Sequence, residues 1–249
     1  KLGEAKCPCI DDHNLAPEDK VTVGALAPVA ARIVLKCLYT ARMGRPDTLW
    51  SVNSLARMVT KWSVACDKRL KKLMAYLRGT LDWCQLCYVG DYAKDCWLAL
   101  YTDASFAGDL QDSKSTTGAY LCLVGPRTFV PISWLCKKQT AVSHSTPEAE
   151  IIAGAFGLRT EGLASAKLVD SLLGRERALL FKEDNQAMLR VAETGKNPTM
   201  RGLGNTHGVS INRLKEAFDE EWNTLVKEDT ITMAGDIFTK AFEHTDKCN

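Results

Sequence analysis

Four carboxylates stand where the local pattern changes: Asp103, Glu150, Asp184 and Asp236. Asp103 ends a continuous apolar run, Glu150 falls in the first turns of a helical stretch, Asp184 ends a short strand-like run, and Asp236 opens a last helical segment. Acids at strand ends and helix starts can converge on one cleft. There they can hold hard divalent cations through oxygen, and a pair of such ions is the apparatus of metal-assisted phosphodiester hydrolysis. Each acid also has an ordinary reading. Asp103 could begin a turn, Asp184 could cap the helix after it, Glu150 could be a helix-start acid favoured by the dipole, and Asp236 could pair with Lys240 one turn on.

The elements that must position these acids follow from periodicity. Residues 1–22 mix Pro, Asp, Asn and Gly without a period and predict an unstructured leader. Helical spacing follows over Ala30–Tyr39, Leu49–Thr60 and Asp67–Leu77, broken at Gly44-Arg45-Pro46. From Cys96 the character changes: Cys96–Thr102 is a strand buried on both faces, and Gly118–Val124 and Phe129–Cys136 continue it as a meander through Gly125-Pro126. A long helix follows, with Thr146 as its N-cap, Pro147 at its first position and Gly174 as its stop. Then come a strand at Ala178–Phe181, helices at Asn185–Thr194 and Val209–Glu221, a strand at Thr224–Val226, and a final helix at Thr232–Phe242. The expected architecture is α/β: a mixed five-stranded sheet flanked by helices, preceded by a small all-α segment.

Charge is unevenly spread. The net formal charge is only +2, but residues 21–80 hold 11 Lys/Arg against Asp47 and Asp67. A basic segment beside an acidic one suits a protein that grips phosphates with one part and holds cations with the other, and a solvated helix face would look the same. The best candidate for a membrane span, Val21–Ala31, runs into Arg32 and Lys36, and no secretory signal is evident, so an intracellular protein, cytoplasmic or nuclear, is expected. Ten cysteines in a leaderless chain of this size read as mostly reduced. Cys7 and Cys9 with Cys84 and Cys87 could supply four thiolates to zinc, or be ordinary thiols. No Gly-x-Ser-x-Gly elbow, Walker loop or His-Glu-x-x-His occurs. Tyr88-Val-Gly-Asp91 lacks the first acid that a polymerase pair would need.

Six segments carry a more specific signal: Leu100-Tyr-Thr-Asp-Ala-Ser-Phe-Ala-Gly-Asp109, Asp112-Ser-Lys-Ser-Thr-Thr-Gly118, Ile132-Ser-Trp-Leu-Cys-Lys-Lys-Gln139, Ser145-Thr-Pro-Glu-Ala-Glu150, Asp184-Asn-Gln186 and Asp236-Ile-Phe-Thr-Lys240. In kind and order they resemble the ribonuclease H domain of copia-type retrotransposon polyproteins. Upstream, Arg45-Pro-Asp-Thr-Leu49, Ser54-Leu-Ala-Arg57 and Tyr76-Leu-Arg-Gly-Thr-Leu81 resemble the last helical part of that family's reverse transcriptase. After the unstructured leader at 1–22, which resembles nothing in that family, the resemblance implies a helical connection-like segment at 23–93 and a ribonuclease H-like domain at 94–245.

It further implies a two-metal ribonuclease H cutting the RNA strand of RNA/DNA hybrids, with two Mg ions, or Mn, held by Asp103, Glu150, Asp184 and Asp236. Other partners would be the hybrid itself and the remainder of the reverse transcriptase, and no membrane. A catalytically inactive relic that binds nucleic acid or a protein is the alternative. The choice of Glu150 over Glu148 rests on the resemblance, and Ala153, Gly154 and Gly157, which share its helix face and would let that face approach the sheet, support it. Lys137, Lys138, Ser105 and Asn185 are the expected nucleic-acid contacts, and His207 matches a position where the family often has His. One departure is plain: no His lies between Gly208 and Gly235, where related enzymes often carry one before the last acid. Proton transfer to the leaving group would then fall to water or another group. Glu183, beside Asp184, is an unusual neighbour that could raise a carboxyl pKa or attract an extra ion.

Overall fold

The computed structural model describes residues 2–10, 12–108, 113–174, 178–196 and 208–241. By contact the chain divides into two compact units, 1–85 with 240–249, and 86–239.

In the first unit, α1 (Pro17–Val21), α2 (Ala30–Met43), α3 (Leu49–Ala56) and α4 (Val64–Gly79) follow one another. The chain leaves α2 at Gly44 and re-enters helix after Pro46, as the Gly-Arg-Pro break requires. Leu49, Val52, Leu55, Leu70, Leu73 and Tyr76 bury the faces of α3 and α4. The leader departs from expectation. It forms a short 3-10 turn (Asp12–Asn14) and α1, and it buries Cys7, Cys9 and Leu15. Its acids answer the basic helix: Asp19 lies 2.5 Å from Lys68 and Asp12 2.5 Å from Arg69. A sequence without periodicity is here ordered by charge pairs and by three small buried side chains, neither of which leaves a local pattern.

The second unit is built on a six-stranded sheet: β1 (Tyr88–Val89), β2 (Trp97–Ser105), β3 (Thr116–Gly125), β4 (Thr128–Lys138), β5 (Leu179–Glu183) and β6 (Asn223–Lys227), in spatial order β1-β4-β3-β2-β5-β6. Five of these are the expected strands. The sixth, β1, is a two-residue edge strand pairing Tyr88 with Phe129 and Val89 with Thr128, and it carries the second unit back to residue 86. β2 to β4 are antiparallel, while β5 runs parallel to β2 and β6 parallel to β5. The sheet is therefore mixed, with helices between its parallel strands, which is the expected ribonuclease H-like arrangement.

Between β4 and β5 lie α5 (Thr146–Gly157), a π-helical turn (Leu158–Gly162) and α6 (Leu163–Leu173); α7 (Gln186–Thr194) and α8 (Ile211–Asp219) separate β5 from β6. The long helix is thus interrupted once. It starts one residue earlier than expected, because the Ser145 hydroxyl, not that of Thr146, accepts the Glu148 N–H. Gly174 ends α6 with φ +68°, in the left-handed region that favours glycine. On α6, Val169 packs against the core while Leu168 and Leu172 are 60% and 73% exposed. The last helix is only a 3-10 turn, Ala234–Phe238.

The core joins Leu98, Leu100, Leu121, Ile151, Leu179 and Phe181 from the sheet and α5 with Met188 and Leu214 from α7 and α8. Small residues set its spacing. A Cβ on Gly157 would fall 2.7 Å from Thr102 Cγ2, and one on Gly154 2.5 Å from Met188 Cε, so α5 approaches the sheet as its glycines predict.

Candidate active site

β2 and β5 are adjacent and parallel but unequal. β5 pairs with β2 only from Leu98 to Tyr101, whereas β3 accompanies β2 to Ser105. Beyond Tyr101 the β5-side edge of β2 is therefore open, and backbone groups there need other partners. Into this notch come three of the four expected acids and one more.

Asp103 sits on β2, buried at 3% exposure, and its Oδ2 accepts the Thr239 hydroxyl. Glu150 comes from α5, 4% exposed, with the Ala104 N–H as its backbone donor. One of its oxygens, Oε2, is buried without a hydrogen-bond partner among the described residues. Burial first, then the charges of Glu183, Asp103 and Asp184, push its carboxyl up to about 10. Asp184 follows β5 directly, half-buried, and accepts the Thr230 hydroxyl at 2.9 Å. Asp236 is carried to the same strand from the opposite face by the 3-10 turn. Its neighbour Gly235 lies so close that a Cβ there would meet Asp103 Cβ at 2.9 Å. Asp236 itself is half-buried.

Two acids next to these resolve questions that the sequence left open. Glu148 is occupied at the start of α5, where its carboxylate accepts the His144 N–H at 2.7 Å. Glu150, two residues on, points away from that capping role and into the notch. Glu183 is fully buried on β5, where it accepts from Thr102 Oγ1 (3.2 Å) and from the Asn185 N–H (3.1 Å). Burial first, then Asp184 and Asp103, push it up to about 8, against the help of those donors. It belongs to the cluster as much as Asp184 does. The signal for it was its adjacency to Asp184 at the end of an alternating strand, whose inward positions are Leu179, Phe181 and Glu183.

The other expected contacts fare unevenly. Asn185 is the N-cap of α7, its Oδ1 accepting from Ala187 and Met188 N–H. Ser105 ends β2, paired with Thr116. Lys137 and Lys138 end β4, and the Lys137 ammonium lies 4.3 Å from the centroid of the Phe156 ring. His207 lies outside the described residues. Cys84 and Cys87 are exposed while Cys7 and Cys9 are buried, and among the described residues no group of three or more His, Cys, Asp or Glu is arranged to hold a metal ion. The donor set nonetheless suits a hard cation: four carboxylates, two of them held protonated by mutual repulsion and burial, and one orphaned oxygen. Among the described residues no helix is long and apolar enough to cross a membrane.

No protein-family model matches the chain. It is similar to the retrovirus-related Pol polyprotein from transposon TNT 1-94 of Nicotiana tabacum, 29% identical over 241 residues, 96% of this chain and 17% of that protein. It is also similar to the Pol polyprotein from transposon RE2 of Arabidopsis thaliana, 34% identical over 123 residues, 49% of this chain and 8% of that protein. The chain thus spans less than a fifth of the length of either relative. A solved structure of LC11-RNase H1 isolated from compost aligns with 57% of this chain and 92% of its own at 13% identity and a TM-score of 0.41. With six family motifs placed in order along a mixed sheet and a similarity that runs nearly end to end, the chain is linked at family level to the copia-type retrotransposon Pol polyproteins of plants.

Proposed function

We propose that the second unit is a ribonuclease H, hydrolysing the RNA strand of an RNA/DNA hybrid. The observation that carries this reading is Glu150, a buried carboxylate with an unpartnered oxygen, set among Asp103, Asp184 and Glu183 at the open edge of β2. Burying charge without a partner is costly, and such strain concentrates where a site is built for a ligand. Asp103, Glu150 and Asp184 would hold the divalent ions, with Asp236 reaching Asp103 from the other face of the sheet as the fourth acid of the resemblance; magnesium, when bound, would supply an activated water and stabilise the leaving oxygen. The chain's own residues do the rest. Thr239 orients Asp103, Thr230 orients Asp184, and the Ala104 N–H fixes one oxygen of Glu150 so that the other remains available. Thr102 and the Asn185 N–H anchor Glu183 beside the other acids of the notch. Among the described residues no His precedes Asp236 on the approach to the notch, so the proton for the leaving group comes from solvent. Recognition of RNA would rest on 2′-hydroxyl contacts across a wide minor groove.

A second reading is favoured by one observation: the described acids, though gathered, do not adopt a metal-holding arrangement. On that reading the chain is an inactive relic that binds nucleic acid or a protein. A labelled hybrid incubated with magnesium or with chelator, using wild type and Asp103→Asn, separates the two. Metal-dependent cutting of the RNA strand, lost in the variant, supports the hydrolase. Binding without cutting supports the relic, and equal cutting of duplex DNA would show that the substrate class is wrong.

A further inference from the structure

We propose that a cavity on the α5 flank of the sheet binds a nucleoside phosphate, either free or as an unstacked nucleotide at the end of a strand. The cavity has a volume of about 430 Å³ and lies between the end of β4, α5 with the π-helical turn, and the start of α8. That is within the range of small-molecule sites. Its inner wall is apolar, with Ile152, Phe156, Leu163 and Leu214 contributing. Its polar lining has one sign: Lys137, Lys138, Arg159 and Arg213 are present, and no Asp or Glu is.

Three features make this charge more than a solvated fringe. Lys137 and Arg159 both border one ring, at 4.3 and 5.8 Å from the centroid of Phe156. No ion pair neutralises Lys137, Arg159 or Arg213 among the described residues. Val209 and Ser210, at the N-terminus of α8, also line the cavity and add the positive end of its dipole. An anion in the cavity would give Lys137, Arg159 and Arg213 a counter-charge. The apolar wall asks for a ligand whose anionic group is attached to a flat or apolar body, and a nucleotide is both. None of the acids in the notch lines the cavity, so the inference does not rest on the hydrolase reading.

The test is a fluorescence titration of the full chain, in chelator, with an N-methylanthraniloyl derivative of adenosine 5′-monophosphate. Competitors are the unlabelled nucleotide, adenosine, inorganic phosphate and a 5′-phosphorylated tetranucleotide. Expected is saturable binding with a dissociation constant below about 1 mM, displaced by the nucleotide better than by adenosine or phosphate alone. Displacement by the tetranucleotide at lower concentration than by the mononucleotide assigns the site to a strand end, and the reverse assigns it to free nucleotide. Arg159→Gln and Arg213→Gln, both changes of exposed side chains, each weaken binding about tenfold, the scale of one charge-assisted hydrogen bond. Ala155→Trp, which fills the cavity, abolishes it. No saturable binding, binding indifferent to both arginine changes, or displacement by phosphate as effective as by nucleotide overturns the proposal. Asp103→Asn is run in parallel: nucleotide binding that persists while hybrid cleavage is absent in wild type and variant alike removes the hydrolase reading and leaves this one standing.

Discussion

Replacing Glu150 by Gln should stabilise the metal-free protein, by an amount that grows with pH. Glutamine has the shape of the protonated acid and keeps an oxygen for the Ala104 N–H, so it removes the charge and little else. In the wild type, burial and three neighbouring carboxylates raise the folded-state value from 4.5 to about 10. Below pH 4.5 the group is protonated in both folded and unfolded chains, and it contributes no pH dependence. Above that, the unfolded chain releases a proton that the folded chain retains, so wild-type stability falls as pH rises, by up to about 1.4 kcal/mol per unit. At pH 8 the ceiling is about 5 kcal/mol; relaxation and water penetration around a buried charge bring the expectation down to about 1–3 kcal/mol. For a unit of this size that is a rise in Tm of roughly 3–10 °C. Thermal unfolding in chelator at pH 4.5, 6 and 8 measures it. Near-equality at pH 4.5 and a widening gap toward pH 8 are expected. A gap constant across that range, or a variant less stable than wild type at pH 8, refutes the claim that burial and neighbouring acids raise the Glu150 carboxyl.

The remaining expectations follow from the same geometry. Magnesium should raise the wild-type Tm more at pH 8 than at pH 5.5, because cation and proton compete for the same carboxylates, and Glu150→Gln should lose most of that increment in the same thermal scans. Asp103→Asn should reduce magnesium-dependent cleavage of the hybrid at least about 100-fold while leaving the circular dichroism spectrum unchanged. Gly157→Val should destabilise the second unit by about 1–3 kcal/mol in urea unfolding, since even a Cβ there meets Thr102 Cγ2 at 2.7 Å. In the first unit, Asp47 accepts from Arg45 at 2.8 Å and from the buried Tyr76 hydroxyl at 2.8 Å. Asp47→Ala should therefore cost about 1–3 kcal/mol by stranding the Tyr76 hydroxyl and leaving Arg45 only its bonds to Thr80, and the same urea titration reads it.

Much of the second unit was legible in the chain. The apolar run into Asp103 could only be a strand covered on both faces, and it is the middle of the sheet, because β2 needs neighbours for its backbone and cover for alternate side chains. The glycines of α5 announced a close approach, and Thr102 and Met188 occupy the space that side chains there would need. Other features left no local trace. The two-residue β1 has no hydrophobic alternation to read, and it exists because the β4 edge offers Thr128 and Phe129 as partners. The 3-10 turn was expected as a longer helix, but Gly235 must lie against the Asp103 backbone, and that contact takes precedence over helical propensity.

The candidate site divides the same way. Residue type, position at element ends and the resemblance of the surrounding motifs together single out Asp103, Glu150, Asp184 and Asp236 as candidates in one dimension. The sequence could not say that β5 stops short of β2, that the resulting notch leaves an oxygen of Glu150 without a donor, or that Glu183 points inward beside it. Those facts depend on strand register and on the distances between chain segments far apart in sequence. Burial and mutual repulsion, which set the carboxyl pKa values, arise only when the segments meet.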